Sequence, residues 1–239
     1  MKGDALYWLM SHMFDAFIWG GELTGSENLS ADGPAVYVSN HALALGPIAV
    51  AASLPLRIYP WVVSDMLDRK KAAAYLNMDF VEPQLHIPVP LSMPLARLIS
   101  QASVRLLRGV GSIPVWHGEQ VRGTYRISLD RLVEEQNLLI FPEDPNLPMD
   151  EQCKMRPFMK GFARLGELYF ERTQKILKFY PLAVHPGSRK VKVGKPISFN
   201  PKNNPANEVV RIKSVLESII RGMVIEMTLQ GYAGIPLPH

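Results

Sequence analysis

Asn40 and His41 are the residues of this chain best suited to chemistry, because they directly follow an apolar stretch typical of a β-strand, Ala35–Ser39. Five residues after the histidine, Gly46 precedes a proline and an alanine-rich segment typical of a helix. A neutral imidazole on such a strand-to-helix turn can accept a proton near pH 7. His41 is therefore either an exposed general base or a structural histidine at a strand end, and this local context alone favours the structural histidine.

Strand-like and helix-like segments alternate along the rest of the chain, an order typical of α/β proteins. Strand patterns occur at residues 138–141 and 178–184, and helical periodicity extends over residues 95–108 and 207–229. We therefore expect a mixed central β-sheet flanked by helices. A chain of 239 residues without an internal repeat suits a single domain over residues 1–239.

Composition and charge exclude several classes of protein. Hydrophobic residues make up 47% and charged residues 20% of the chain, which indicates a globular and not a disordered protein. The mild net charge of +4 suits phospholipid or nucleotide phosphates and also fits an ordinary soluble protein. No basic stripe interleaved with aromatic residues supports nucleic-acid binding. The single cysteine, Cys153, excludes a disulfide within the chain. A reducing, cytoplasmic location is expected.

Two apolar segments bear on membrane contact. Residues 33–56 carry no formal charge, but their prolines and the Asn40–His41 pair would be costly in hydrocarbon, so we expect a strand, a loop and a buried helix there. Residues 1–20 are predicted to form an apolar N-terminal helix, in which Asp15 is the one charge within residues 5–19. This helix either packs on the core or lies peripherally on the inner face of a membrane.

Four blocks of residues, in order, resemble the glycerolipid acyltransferase family, whose namesake activity acylates lysophosphatidic acid. The blocks are Val38-Ser39-Asn40-His41, Gly111-Ser112-Ile113-Pro114-Val115, Leu139-Ile140-Phe141-Pro142-Glu143, and Phe179-Tyr180-Pro181-Leu182-Ala183 followed by Val193-Gly194-Lys195-Pro196-Ile197. The segment 157–165 is also similar to the helix that follows the third block. Because each block lies on a suitable element, the resemblance predicts the family's fold over about residues 20–200.

The resemblance implies transfer of a fatty acyl group from acyl-CoA or acyl-carrier protein to a hydroxyl or amine of a lipid-like or specialised-metabolite acceptor. It implies His41 as the base in a direct attack on the thioester, without a covalent acyl-enzyme. Asn40, Phe141 and Pro142 would belong to the substrate site. The acyl donor is a co-substrate, and no metal or prosthetic cofactor is implied.

Three positions depart from the family's pattern. Gly46 stands where the family has Asp, His117 where it has an acceptor-binding Arg, and Asp144 where it has Gly. In a comparable serine-protease triad, loss of the orienting carboxylate costs about 10⁴-fold in turnover. Two substitutes are open: either Glu143 or Asp144 reaches the His41 ring as a catalytic carboxylate, or a backbone carbonyl orients the ring.

The departures also bear on the substrate. Gly46 is an acceptable N-cap with Pro47 at the first helical position, which leaves a helix N-terminus for an oxyanion or a phosphate. At the acceptor position His117 holds phosphate less well than arginine does, and Arg156 is among the residues able to compensate. We therefore expect an acceptor other than lysophosphatidate. The alternatives are an inactive homologue that binds lipid or acyl-carrier protein, and a thioester hydrolase.

Overall fold

The computed structural model describes residues 2–29, 33–43, 45–82, 85–88 and 90–233. Within these residues the strands are β1 (Glu22–Thr24), β2 (Ala35–Ser39), β3 (Ile58–Val63), β4 (Ile113–Val115), β5 (Asn137–Ile140), β6 (Lys178–His185), β7 (Lys190–Val193) and β8 (Ile197–Ser198). The α-helices are α1 (Lys2–Phe14), α2 (Leu45–Ser53), α3 (Ser64–Leu67), α4 (Ala72–Leu76), α5 (Ser92–Gly109), α6 (Val121–Val133), α7 (Leu165–Thr173) and α8 (Pro205–Ala233). Short π-helical turns follow α1 and α4, at Asp15–Trp19 and Asn77–Val81.

The described residues divide into two compact units. The larger unit comprises those of Leu9–Ile58 and Ser128–His239, and the smaller unit those of Met1–Trp8 and Tyr59–Ile127. The single domain expected over residues 1–239 therefore stays a prediction.

The larger unit is built on a mixed sheet with the strand order β1-β7-β6-β2-β5, and β8 also pairs with β6. Strand β2 runs parallel to both of its neighbours, so that Val38 lies opposite Ile140 on β5 and Pro181 on β6. Strands β7 and β8 run antiparallel to β6. Because β2, β5 and β6 are parallel, the residues that follow them lie at the same edge of the sheet.

The core of the larger unit forms around β2, which is buried along its whole length. Tyr37 on β2 and Tyr180 on β6 occupy paired positions, and their rings stack with centroids 5.1 Å apart. Helix α8 packs along β6, and α2 packs against β6 and β7. The predicted α/β class, with a mixed sheet flanked by helices, is confirmed.

In the smaller unit β3 and β4 pair in parallel, with Trp61 opposite Ile113. The sequence pattern predicts one helix over residues 67–76, but the structure has α3 and α4 separated by a turn at residues 68–71. The break arises because the Asp68 carboxylate accepts a hydrogen bond from the Lys70 backbone N–H, at 2.7 Å, which competes with a continuous helix. Helix α5 packs against both α3 and α4.

The terminal helices predicted over residues 1–20 and 207–229 correspond to α1 with its π-helical turn, and to α8. The N-terminal element stops at Gly20, whose φ of 53° is a left-handed conformation that glycine adopts readily. Across the described residues, no helix combines the length and the hydropathy that crossing a bilayer requires.

Candidate active site

The carboxyl ends of β2 and β5 bring together two of the sequence blocks within the larger unit. His41 follows β2 and Phe141 follows β5, and their rings meet edge to face with centroids 5.2 Å apart. The His41 residue is exposed, whereas the preceding Asn40 is 2% exposed. The turn after β2 therefore presents the imidazole to solvent, while the preceding residue, Asn40, is buried.

Asn40 fixes the point at which the chain leaves β2. Its side-chain Nδ2 donates to the Val184 carbonyl at 2.9 Å, and its Oδ1 accepts from the Val184 backbone N–H at 2.8 Å. The amide thus extends the contact between β2 and β6 beyond the Ser39–Leu182 pair to Val184, with both of its ends satisfied. This geometry assigns Asn40 a positioning role, and its contact with substrate stays a prediction.

A backbone carbonyl orients the His41 ring. Nδ1 lies 2.6 Å from the carbonyl oxygen of Leu43. Since a carbonyl oxygen can only accept, Nδ1 carries the proton in this bond and Nε2 keeps its lone pair. Leu43 reaches this position with a φ of 57°, and Ala42 before it has a φ of 44°. Such left-handed conformations cost residues with a side chain about 1–3 kcal/mol each.

Glu143 binds the backbone of His41 and not its ring. Its Oε1 accepts from the His41 backbone N–H at 2.6 Å, and its Oε2 accepts from the Arg156 backbone N–H at 2.8 Å. Hydrogen bonds to a charged group contribute about 1.5–3 kcal/mol each. Glu143 therefore ties residues 41–43, the histidine turn, to the segment around Arg156, and it acts on the imidazole by positioning the backbone.

The Asp144 carboxylate binds within the loop that follows β5, and not at the His41 ring. One carboxylate oxygen, Oδ1, accepts from the backbone N–H and the side-chain amide of Asn146, at 3.0 and 3.1 Å. The Asp144 backbone N–H donates to the Pro157 carbonyl at 2.9 Å. Of the two alternatives for orienting the ring, the structure has the backbone carbonyl of Leu43 at Nδ1, whereas the carboxylates of Glu143 and Asp144 bind backbone and amide N–H groups. A direct catalytic role for either carboxylate stays a prediction.

The sequence context predicts Gly46 as the N-cap of α2. In the structure the helix begins at Leu45, and Gly46 lies within its first turn. A Cβ atom built on Gly46 would lie 2.0 Å from the His41 carbonyl oxygen and 3.2 Å from that of Asn40. The helix therefore packs directly on the backbone of the histidine turn. An aspartate side chain at this position cannot be accommodated unless that backbone moves.

Arg156 lies beside the histidine turn, because its backbone N–H shares the Glu143 carboxylate with that of His41. Its side chain is partly exposed, and the buried Nε atom finds no hydrogen-bond partner among the described residues. An arginine with an unused donor next to a candidate base is suited to an anionic group.

Pro142 is buried, and its carbonyl accepts from the Met159 backbone N–H at 2.8 Å. Its contact with substrate stays a prediction.

His117 lies in the smaller unit, where it precedes the 3₁₀ turn Gly118–Gln120 and is exposed. Its predicted contact with substrate stays a prediction. In the part of the chain that the structure describes, no three His, Cys, Asp or Glu side chains cluster closely enough to hold a metal ion.

The sequence pattern missed Leu43 as a site residue. Its contribution is a main-chain oxygen, which carries no signal in the type of the side chain, and leucine rarely adopts a positive φ. The His41 carbonyl leaves no room for a side chain at Gly46, and this is also a contact between segments that the local sequence does not reveal. A glycine followed by proline indicates a helix start but not what packs upon it.

Comparison with known proteins supports the fold. No known protein-family model matches the chain, and no curated protein matches it in sequence. The chain is similar to the crystal structure of the 1-acyl-sn-glycerophosphate (LPA) acyltransferase PlsC from Thermotoga maritima, with a TM-score of 0.56 over 95% of this chain and 79% of that chain. The two sequences are 14% identical, so the likeness concerns architecture alone. The protein therefore has a PlsC-like fold, as the four sequence blocks predict.

Proposed function

We propose that the protein is an acyltransferase that moves a fatty acyl group from acyl-CoA or acyl-carrier protein to a hydroxyl or amine of a lipid-like or specialised-metabolite acceptor. The observation that carries the proposal is the exposed imidazole of His41, whose Nδ1 is held by the Leu43 carbonyl. That bond leaves Nε2 as the basic atom of the ring. The PlsC-like fold supports the reaction type.

In the proposed step, Nε2 of His41 takes the proton of the acceptor hydroxyl while the acceptor oxygen attacks the thioester carbonyl. The new C–O bond forms, the C–S bond breaks, and the imidazolium returns the proton to the leaving thiolate. The Leu43 carbonyl selects the tautomer, but its dipole stabilises the imidazolium less than a full charge would. We therefore expect turnover to be slower than in an enzyme with an orienting carboxylate, by at most about 10⁴-fold.

The residues around His41 are proposed to divide the remaining work. Glu143 and Asn40 position the turn from which the base projects. Phe141, in ring contact with His41, forms a wall of the acceptor side. Arg156 offers unused guanidinium donors to an anionic group of the substrate, which supports an acceptor or donor that carries phosphate or carboxylate near its reacting end.

The proposal is tested by incubating the purified protein with radiolabelled acyl-CoA or acyl-carrier protein and a panel of lipid acceptors, lysophosphatidate included. We expect labelled product with at least one acceptor, and a loss of about 10²–10⁴-fold in His41→Ala. The matched control is His86→Asn, since His86 is an exposed histidine of the smaller unit with a φ of 55° that asparagine tolerates.

Each outcome of this assay separates the alternatives. Turnover that survives His41→Ala overturns the base assignment. Saturable binding of donor without product indicates an inactive homologue, and release of free fatty acid without an acceptor indicates a thioester hydrolase.

We also propose peripheral contact of residues 5–19 with the inner face of a membrane, where a lipid acceptor would be found. Leu9, Met13 and Phe17 follow one another at intervals of four residues, and their exposed fractions are 59%, 50% and 82%. This spacing places them on one helical face, and apolar side chains so exposed gain from burial at the headgroup level.

Co-sedimentation with phosphatidylglycerol vesicles tests the membrane contact. The double variant Met13→Ser/Phe17→Ser should lose most of its vesicle binding. Leu229→Ser serves as the control, because Leu229 on α8 is 63% exposed and lies outside this face. Equal pelleting of the parent and the double variant would contradict the proposal.

A further inference from the structure

The smaller unit contains a pocket that the candidate active site does not use. Its volume is about 280 Å³, and it is lined by Arg69, Ser100, Gln101, Val104 and Arg105. Pockets that hold drug-sized ligands begin near about 300 Å³. This pocket therefore suits a small ligand, or one polar group of a larger ligand, better than a fatty chain.

Two elements build the pocket. Helix α5 provides Ser100, Gln101, Val104 and Arg105, residues spaced so that they lie along one side of the helix. The turn between α3 and α4 provides Arg69. Val104 and Ser100 are 1% and 4% exposed, so they form the floor, whereas both arginines and Gln101 are exposed at the rim.

The turn that carries Arg69 is fixed by hydrogen bonds that leave this side chain unused. The Asp68 carboxylate accepts from the Lys70 backbone N–H at 2.7 Å, and Lys71 forms an ion pair with Asp65 at 3.1 Å. From α5, the Arg108 Nε donates to the Leu67 carbonyl at 2.8 Å. The rim of the pocket is therefore anchored on both sides of Arg69.

The charge at the rim is not neutralised within the described residues. Arg69 and Arg105 have no hydrogen-bond or ion-pair partner there. Of the nearby acids of the turn, Asp65 forms an ion pair with Lys71, and the Asp68 carboxylate accepts from the Lys70 backbone N–H. Two guanidinium groups facing one small pocket repel each other until an anion lies between them. Their planar donor pairs match the oxygens of a phosphate, and the Gln101 amide adds a further donor.

We propose that this pocket binds a phosphate or diphosphate group of a small phosphorylated ligand, held between Arg69 and Arg105. Free phosphate, a nucleotide diphosphate such as that of coenzyme A, and a phosphorylated glycerol headgroup all carry this chemistry. None of its lining residues takes part in the proposed His41 step, so this proposal is tested separately from the proposed acyl transfer.

Calorimetric titration of the full chain with inorganic pyrophosphate at low ionic strength is the primary test. We expect saturable binding that weakens by about 10-fold or more in Arg69→Gln/Arg105→Gln, because two charge-assisted contacts are lost. The matched control is Arg122→Gln/Arg126→Gln, which removes the same charge from α6 of the same unit. Arg122 and Arg126 are also exposed, so none of the four substitutions opens a core, and thermal unfolding of both variants should equal that of the parent.

Separate titrations with inorganic phosphate, free coenzyme A and glycerol 3-phosphate identify the source of the group. Binding of any of them that depends on Arg69 and Arg105 but not on Arg122 and Arg126 supports the site, and the tightest binder names the ligand class. Equal weakening in both double variants would mean a general charge effect and would overturn the proposal. Absence of saturable binding for all four probes would overturn it as well.

Discussion

Replacing Gly46 with alanine tests whether the histidine turn leaves room for a side chain on α2. In the helical conformation alanine ordinarily stabilises a protein by about 0.5–1 kcal/mol relative to glycine. Here the new Cβ would lie 2.0 Å from the His41 carbonyl oxygen, where real Cβ atoms stay beyond 3.0 Å. The obstructing atom belongs to the backbone, so α2 or the turn must move by about 1 Å, a form of overpacking that costs about 1–3 kcal/mol. The sign of the usual effect is therefore reversed.

The same shift should reach the chemistry. A displacement of about 1 Å at a reacting group costs about 10²-fold in rate, and here the displaced backbone belongs to the candidate base. We expect Gly46→Ala to lose about 1–3 kcal/mol of unfolding free energy and about 10²-fold of turnover. Gly46→Asp should be no better, although it restores the residue type that the resemblance places there.

Urea denaturation and the acyl-transfer assay measure the two effects. Gly222→Ala is the control, because a Cβ on this exposed glycine of α8 meets nothing within 4 Å and should stabilise by about 0.5–1 kcal/mol. If Gly46→Ala were as stable as the parent, the close approach of α2 to the His41 backbone would be refuted. If Gly46→Asp raised turnover, the turn would have room for the carboxylate after all.

Four further predictions rest on single carboxylate or imidazole groups. Glu143→Gln should lower the unfolding free energy by about 1.5–3 kcal/mol and reduce turnover, since Glu143 binds the backbone N–H groups that hold the turn of His41. Asp144→Asn should cost under about 1 kcal/mol in urea denaturation. Burial lowers the pKa of His185 from 6.5, so stability should fall as pH drops through about 6.5, and His185→Gln should flatten that part of the stability curve. Hydrogen bonds from Arg211 lower the pKa of Glu208 from 4.5 to about 2, so its stabilisation is present above pH 4.5 and is lost towards pH 2. Allowing for the partly exposed Arg211, Glu208→Gln should cost about 2–3 kcal/mol at pH 7 and little at pH 2, as measured by urea denaturation at both pH values.

Local patterns predicted the elements that carry the site. The apolar run at Ala35–Ser39 became β2 with the expected bounds, because a strand buried on both faces leaves an uninterrupted apolar signal. The start of α2 was displaced by one or two residues from the Gly46-Pro47 signal. Glycine is required at this point by the backbone of His41, a contact between segments that no local pattern contains.

The contacts of the candidate base could be predicted only in part. Glu143 was identified from its block, but its function as a clamp depends on the fold bringing the Arg156 backbone to the same carboxylate. The Leu43 carbonyl depends on two residues in left-handed conformations, which their side chains disfavour. The type of the orienting group was one of two alternatives, and geometry was needed to choose between them.

The hydrogen bonds of Glu143 offset the conformational strain of the histidine turn. Ala42 and Leu43, with φ of 44° and 57°, together cost about 2–6 kcal/mol by the usual range for such conformations. The two charge-assisted bonds of Glu143 supply about 3–6 kcal/mol, and one of them ends on the His41 backbone immediately before the strained pair. Without the two Glu143 hydrogen bonds, Ala42 and Leu43 would relax from their left-handed conformations. This relaxation would move the Leu43 carbonyl away from Nδ1 and free the ring to rotate. A carboxylate that never touches the imidazole thus maintains its orientation, in a site where the carboxylate expected to do so has no space.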